Sequence, residues 1–115
     1  MLPASVGDCP ALGLPEYAAH LYSLIGSVCW KRANHDQATE YYLLSLEIRK
    51  GIDNPVGAAE CYISLAEGAL KKDEPKIAEN YSMSGLKIAK QMGISQITAA
   101  AINTIGQIEQ RKGAW

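Results

Sequence analysis

Apolar and small residues recur along this chain at helical spacing, and the whole pattern then returns at a fixed offset. Tyr22, Ile25, Gly26 and Cys29 form one stripe, and Ala38, Tyr42, Ser45 and Leu46 form a second that would face it. Residues three and four apart share a helix face, so each set predicts a helix. Forty positions on stand Tyr62, Leu65, Ala66 and Ala69, then Ala78, Ser82, Gly85 and Leu86, nearly all in the same class. Another forty gives Ile102, Ile105, Gly106 and Glu109 before the sequence ends. A period of this size predicts a stacked array of helix hairpins.

Caps and breakers divide the array into five helices. Pro3, Gly7, Pro10 and Gly13 break any periodicity over residues 1–14, which read as an irregular segment. Gly13-Leu14 before Ala18-Ala19 parallels Gly93-Ile94 before Ala99-Ala100, so this segment has the look of a linker after an earlier unit. Pro15 suits a first helical turn, where its missing N–H costs nothing, and that pattern runs to about Arg32. Asn34 with Gln37 has capping-box spacing and opens a helix to Lys50, stopped by Gly51. Asn54-Pro55 starts a third helix to Lys72, and Asp73 with Pro75 starts a fourth that Gly93 ends. Ser95 caps a fifth, from Gln96 to about Lys112. The units span about 18–57, 58–97 and an incomplete 98–115, so the domain covers 15–115.

Composition narrows the partner class. With 11 basic and 12 acidic residues, neither sign is in excess, which speaks against nucleic acid or an anionic membrane as the main partner. No stretch approaches the roughly 18 apolar residues of a membrane span. The first residues lack the basic n-region of a signal peptide. Cys9, Cys29 and Cys61 form no CxxC or Cys/His cluster and read as free thiols, two of them on buried faces, so a reducing cytoplasm is the expected setting.

At Tyr22-x-x-Ile25-Gly26-x-x-Cys29 with Ala38-x-x-x-Tyr42, the sequence resembles the tetratricopeptide repeat, in which an aromatic, Leu-Gly, a ring, Ala and a further aromatic recur. Gly26 and Ala38 would let the two helices of a hairpin approach, with Tyr22 and Tyr42 filling the space beside them. The second unit departs from the pattern, with Ala66 at the glycine and Ser82 at an aromatic position; neighbouring Tyr81 fills part of that gap. The third keeps Ile105-Gly106 but lacks a second helix. The common family repeat is 34 residues. The forty-residue form here is similar to arrays in bacterial signalling regulators, sensor kinases and kinesin light chains. HEAT repeats, of similar length, are the runner-up, but a proline within the first helix is missing. The resemblance implies an all-α, right-handed solenoid of antiparallel hairpins, with protein or peptide ligands in a groove lined by the first helix of each unit.

Carried onto this chain, that groove comprises His20, Ser23, Ser27, Trp30 and Lys31; then Glu60, Ile63, Glu67, Leu70 and Lys71; then Ala100, Asn103, Gln107, Gln110 and Arg111. The family's carboxylate clamp uses Lys, Asn and Arg on these faces. Ser23, Ser27, Ser64, Ala100 and Thr104 stand there instead, so the resemblance gives no support for that ligand class. Trp30 and Leu70 are the large apolar groups on the face, and Lys31, Lys71 and Arg111 form a basic ladder at offsets of forty, which could equally offset helix dipoles.

Catalytic alternatives are thin. His20 and Cys29 lie half a turn out of phase, Glu60 and Glu67 have no histidine beside them, and His35 sits in a turn between Asn34 and Asp36. No phosphate-cradling glycine loop is present. The expectation is a non-catalytic interaction module without cofactor or metal. The alternative is an oligomerising or architectural fragment of a longer regulator, which could self-associate through the uncovered third unit.

Overall fold

The computed structural model describes the backbone of residues 10–114 and the side chains of residues 14–111. Five helices follow one another: α1 (Pro10–Lys31), α2 (His35–Gly51), α3 (Pro55–Lys71), α4 (Pro75–Met92) and α5 (Ser95–Ala114), with no strand among the described residues. Four of the expected starts hold to within two residues. The first does not, because α1 begins at Pro10 and Pro15 lies inside it, so a proline within the first helix, whose absence spoke against a HEAT repeat, is present in α1. So close to the N-terminus, Pro15 forfeits a single backbone bond, while Ala11, Leu12 and Leu14 are good helix formers and Pro10 suits the first position. Residues 10–14 are therefore helical rather than irregular; residues 1–9, with Cys9, lie outside the described part.

The repeat of forty is built from two steps of twenty. Ala33, Asp53, Asp73 and Gly93 take left-handed φ values of 62°, 57°, 64° and 68°. After each, an amide N–H reaches back to the ending helix: Asn34 to Cys29 O and Asn54 to Arg49 O, both 2.8 Å, Glu74 to Ala69 O at 2.8 Å and Ile94 to Ala89 O at 2.9 Å. The carbonyls of Asn34, Asn54, Glu74 and Ile94 then accept the first bonds of the next helices, each at 3.0 Å. One linker geometry thus serves every turn, satisfying carbonyls at a helix end that would otherwise lack partners. Only at Gly93 is the left-handed conformation free of Cβ strain, so the chain accepts about 1 kcal/mol at each of the others.

The side-chain caps differ from expectation. Asn54 does cap α3, its Oδ1 accepting from Gly57 N at 3.0 Å. Asn34 makes no such bond; its Nδ2 donates to Gln37 Oε1 at 2.8 Å, which replaces the capping box. Asp73 is the left-handed residue rather than the cap, and Ser95 is already helical.

Consecutive helices pack as hairpins, and α3 also packs on α5; no comparable contact joins α1 to α3. Small buried residues set the close crossings, among them Ala38, Ala58 and Ala78, again in steps of twenty. A Cβ on Gly26 would stand 3.0 Å from Tyr42 Cε1, which places Gly26 at the α1–α2 crossing. The ring pairs Tyr22–Tyr41 and Tyr62–Tyr81, each 6.1 Å apart, occupy equivalent places in the two hairpins. Tyr81 thus stands in the place of Tyr41, and the second unit has no ring where Ser82 replaces Tyr42. Around Gly106 no atom lies within 4 Å of a built Cβ, as its position opposite a missing second helix requires. This packing is that of a helical repeat.

Candidate binding groove

Three hollows lie among α1, α3 and α5, two of them side by side and the third nearer the C-terminal ends of these helices. The first, of about 300 Å³, has walls of His20, Ser23, Ser27, Glu60 and Ser64 and a floor of Tyr42, Arg49 and Cys61. It occupies the gap that α1 and α3 leave between them. The second, of about 240 Å³, shares Glu60 and Ser64 and continues over Ile63, Gln96, Ile97 and Ala100. A third, of about 260 Å³, lies among Trp30, Glu67, Leu70, Lys71, Gln107 and Arg111.

Most of the groove residues expected from the sequence line these hollows, in different roles. Ile63 and Leu70 are buried, 7% and 5% exposed, and belong to the core. Ile63 packs with Ala59, Ala89, Ile97 and Ala101, and Leu70 with Ala69, Ala78 and Ile108. Only their edges meet the hollows, because α5 closes directly over α3. Trp30 is half-buried, its ring centroid 4.5 Å from that of His35 and its edge against Gly68. It therefore packs on the neighbouring turn and lines the third hollow at once. Lys31, Asn103 and Gln110 are exposed and line none of these hollows.

The basic ladder is not uniform. Lys31 and Lys71 are exposed, whereas Arg111 Nη1 donates to Leu70 O and Asp73 Oδ1, both at 3.1 Å. Arg111 thus holds the end of the previous unit's first helix. The pKa of Glu67 is raised, because the third hollow desolvates part of its carboxylate although the residue as a whole is exposed.

Arg49 escaped the sequence reading. It is 7% exposed, and its Nη1 donates to Gly57 O at 3.3 Å and Cys61 Sγ at 3.5 Å, with Glu60 Oε1 at 4.0 Å. A Cβ on Gly57 would meet Arg49 Cδ at 2.6 Å, so glycine at that place is what admits the side chain. The available signal was an arginine where the other units carry Cys29, Ala69 and Ala89. Beside it, Ser45 Oγ donates to Ala19 O at 2.8 Å and meets Ser23 Oγ at 2.9 Å, while Ser27 Oγ meets Tyr42 Oη at 3.2 Å. Ser23 and Ser27 are thus tied to α2 beneath the first hollow.

Among the described residues no group of three His, Cys, Asp or Glu side chains could hold a metal ion, and no helix is long and apolar enough to cross a membrane. Cys29 and Cys61 are unbonded thiols. Comparison with protein-family models, with curated proteins and with solved structures finds no match to this chain.

Proposed function

We propose that the protein is a non-catalytic interaction module, a right-handed tetratricopeptide-like solenoid that takes a peptide or protein segment along the first helices of its units. The observation that carries this reading is the run of hollows between α1, α3 and α5, to which all three units contribute. Its chemistry is mixed: a polar hollow with His20, Ser23 and Glu60, beside it an apolar one over Ile63 and Ile97, and a far end where Trp30 lies beside Glu67 and Lys71. Such a surface suits an extended chain whose side chains enter the hollows in turn, with Trp30 as the aromatic anchor. A reducing cytoplasm belongs to the same reading, supported by the unbonded thiols. The second reading, an architectural part of a larger assembly, is supported by the open surroundings of Gly106 and Ile102 at the α5 end.

Peptides selected from a displayed random library against the wild-type protein test the groove. Glu67→Arg with Lys71→Glu should lower the affinity of the selected peptides at least tenfold, measured by calorimetry, while the melting temperature stays within a few degrees. Unchanged affinity would move the binding site off this face.

A further inference from the structure

The first helix carries a surface that neither hairpin packing nor the groove uses. Leu14, Tyr17, Leu21, Leu24, Ile25 and Val28 are 49%, 62%, 40%, 49%, 41% and 52% exposed. At 100° per residue they fall on one stripe about 100° wide, opposite the side that meets α2 and adjoining the groove side. Along it Leu14, Tyr17, Leu21, Leu24 and Val28 alternate spacings of three and four, the seam pattern of two packed helices. No Asp, Glu, Lys or Arg interrupts the helix between Glu16 and Lys31.

Most equivalent positions on the other first helices are covered, and Ser64 and Ile105 are half-buried. In α3, Gly57, Cys61, Leu65 and Gly68 are buried, and in α5 so are Ile97, Ala101, Thr104 and Ile108. Those faces receive the second helix of the preceding unit, and they admit it through small or short groups. Where Leu21 and Leu24 stand in α1, α3 has Cys61 and Ser64, and α5 has Ala101 and Thr104. Two leucines at these places would hold a helix packed like α2 or α4 further off, so the face is not shaped for one more hairpin in the same register. It is shaped for a helix with matching knobs.

We propose that this stripe pairs with the same stripe of a second copy of the chain, the two α1 helices running antiparallel about a twofold axis. An isologous contact needs a self-complementary patch. Here Tyr17 would lie near the partner copy's Val28 position and Leu21 near its Leu24 position. The twofold axis keeps the groove edges of both helices on one side, so Lys31 of each copy comes towards the Glu16 and His20 side of the other, and the charges at the two ends complement rather than repel. The exposed parts of the six side chains amount to about three whole large side chains per copy. At roughly 150–200 Å² each, and with the polar rim, the contact approaches about 1,200 Å² in total, the lower end of specific interfaces. An interface of this size suits a dimer whose population varies with concentration. This inference does not depend on the groove reading, and it places self-association at the α1 end rather than at the third unit.

Sedimentation equilibrium of the full chain over roughly 1–500 µM tests it, beside Leu21→Glu with Leu24→Glu and, separately, Ile102→Glu. All three positions are at least 40% exposed, so the substitutions leave the core alone, which far-UV circular dichroism and melting curves verify. The wild type and Ile102→Glu should show the same monomer–dimer equilibrium, and the double variant should stay monomeric across the range. A wild type that remains monomeric throughout would overturn the proposal. So would a dimer that survives in the double variant, or one lost in Ile102→Glu alone. If the double variant fails to fold, Val28→Lys on the same stripe takes its place and must abolish the dimer.

Discussion

Gly26 and Gly106 hold the same place in their units, yet alanine should act on them with opposite sign. In a helix interior, glycine to alanine is favourable by about 1 kcal/mol when nothing else changes. Around Gly106 nothing lies within 4 Å of the new Cβ, so the whole gain should appear. At Gly26 the Cβ would stand 3.0, 3.1 and 3.2 Å from three ring atoms of Tyr42. That ring is 9% exposed and its hydroxyl is held by Ser27, so it cannot swing aside without giving up both packing and a hydrogen bond. Overpacking of this kind costs about 1–3 kcal/mol, which cancels or exceeds the propensity gain. The two variants should therefore differ by roughly 1–3 kcal/mol, and at about 4–8 °C per kcal/mol for a domain near this size their melting temperatures should separate by several degrees or more. Thermal and urea unfolding followed at 222 nm would measure it. Equal shifts in both variants would refute the assignment of Gly26 to the helix crossing and of Gly106 to open space.

Further expectations rest on single groups. Ser82 Oγ is buried with no hydrogen-bond partner among the described residues, so Ser82→Ala should leave stability unchanged or raise it by up to about 1 kcal/mol in urea unfolding; a clear loss would mean that the hydroxyl has a partner. Partial burial raises the pKa of Glu67, so its ionised form is disfavoured in the folded state: the penalty is absent below the ordinary carboxylate range, grows as pH rises from there to the raised value, and is fully present above it. Glu67→Gln should then melt slightly higher than wild type at pH 7 and no higher at pH 3, and a difference that is constant with pH would contradict the sign. Arg49→Ala should cost about 1–2 kcal/mol, since the void beside Gly57 and the lost bonds to Gly57 O and Cys61 Sγ are offset in part by removing a buried guanidinium whose Nε has no partner among the described residues, whereas Lys50→Ala on the exposed neighbour should change little; comparable losses in urea unfolding would show that Arg49 is not part of the core. A designed second helix appended after α5 should raise the unfolding midpoint by covering Ile102 and Gly106, since contacts between neighbours carry the stability of such arrays.

How much of this fold could be read from the sequence depends on how local each determinant is. The linkers were legible because prolines, Asn54 and Gly93 act within a few residues, and the forty-residue return of Tyr22, Gly26 and Ala38 placed the hairpins. The underlying step of twenty was visible in Ala18, Ala38, Ala58 and Ala78 and, at the linkers, in Asn34 and Asn54, Asp53 and Asp73, and Pro55 and Pro75. Elsewhere alternate helices face different neighbours, so Ser45, Leu65 and Gly85 share a position without sharing a size. Pro15 misled because a proline marks a helix start only when nothing upstream favours helix.

The groove was legible as a helix face but not as a surface, and the reason lies in unequal spacing between units. Stripe equivalence makes Ser23, Ile63 and Asn103 one class, yet α1 stands apart from α3 while α5 closes on it. Ile63 and Leu70 therefore went into the core, and their apolar character was itself the sign that a helix would cover them. The basic ladder divides for the same reason. Where α3 and α5 touch, Arg111 comes within 3.1 Å of Leu70 O and Asp73 Oδ1, so its charge goes into holding two units together. One unit earlier, Trp30 and Ala33 stand in the places of Leu70 and Asp73, and Lys71 has no carboxylate at the matching position. That cation stays exposed in the third hollow, between Trp30 and Glu67. A ligand that engages the far end of the groove should therefore feel Lys71→Glu strongly. Arg111→Ala should act mainly on stability, which separates the two halves of the ladder by measurement.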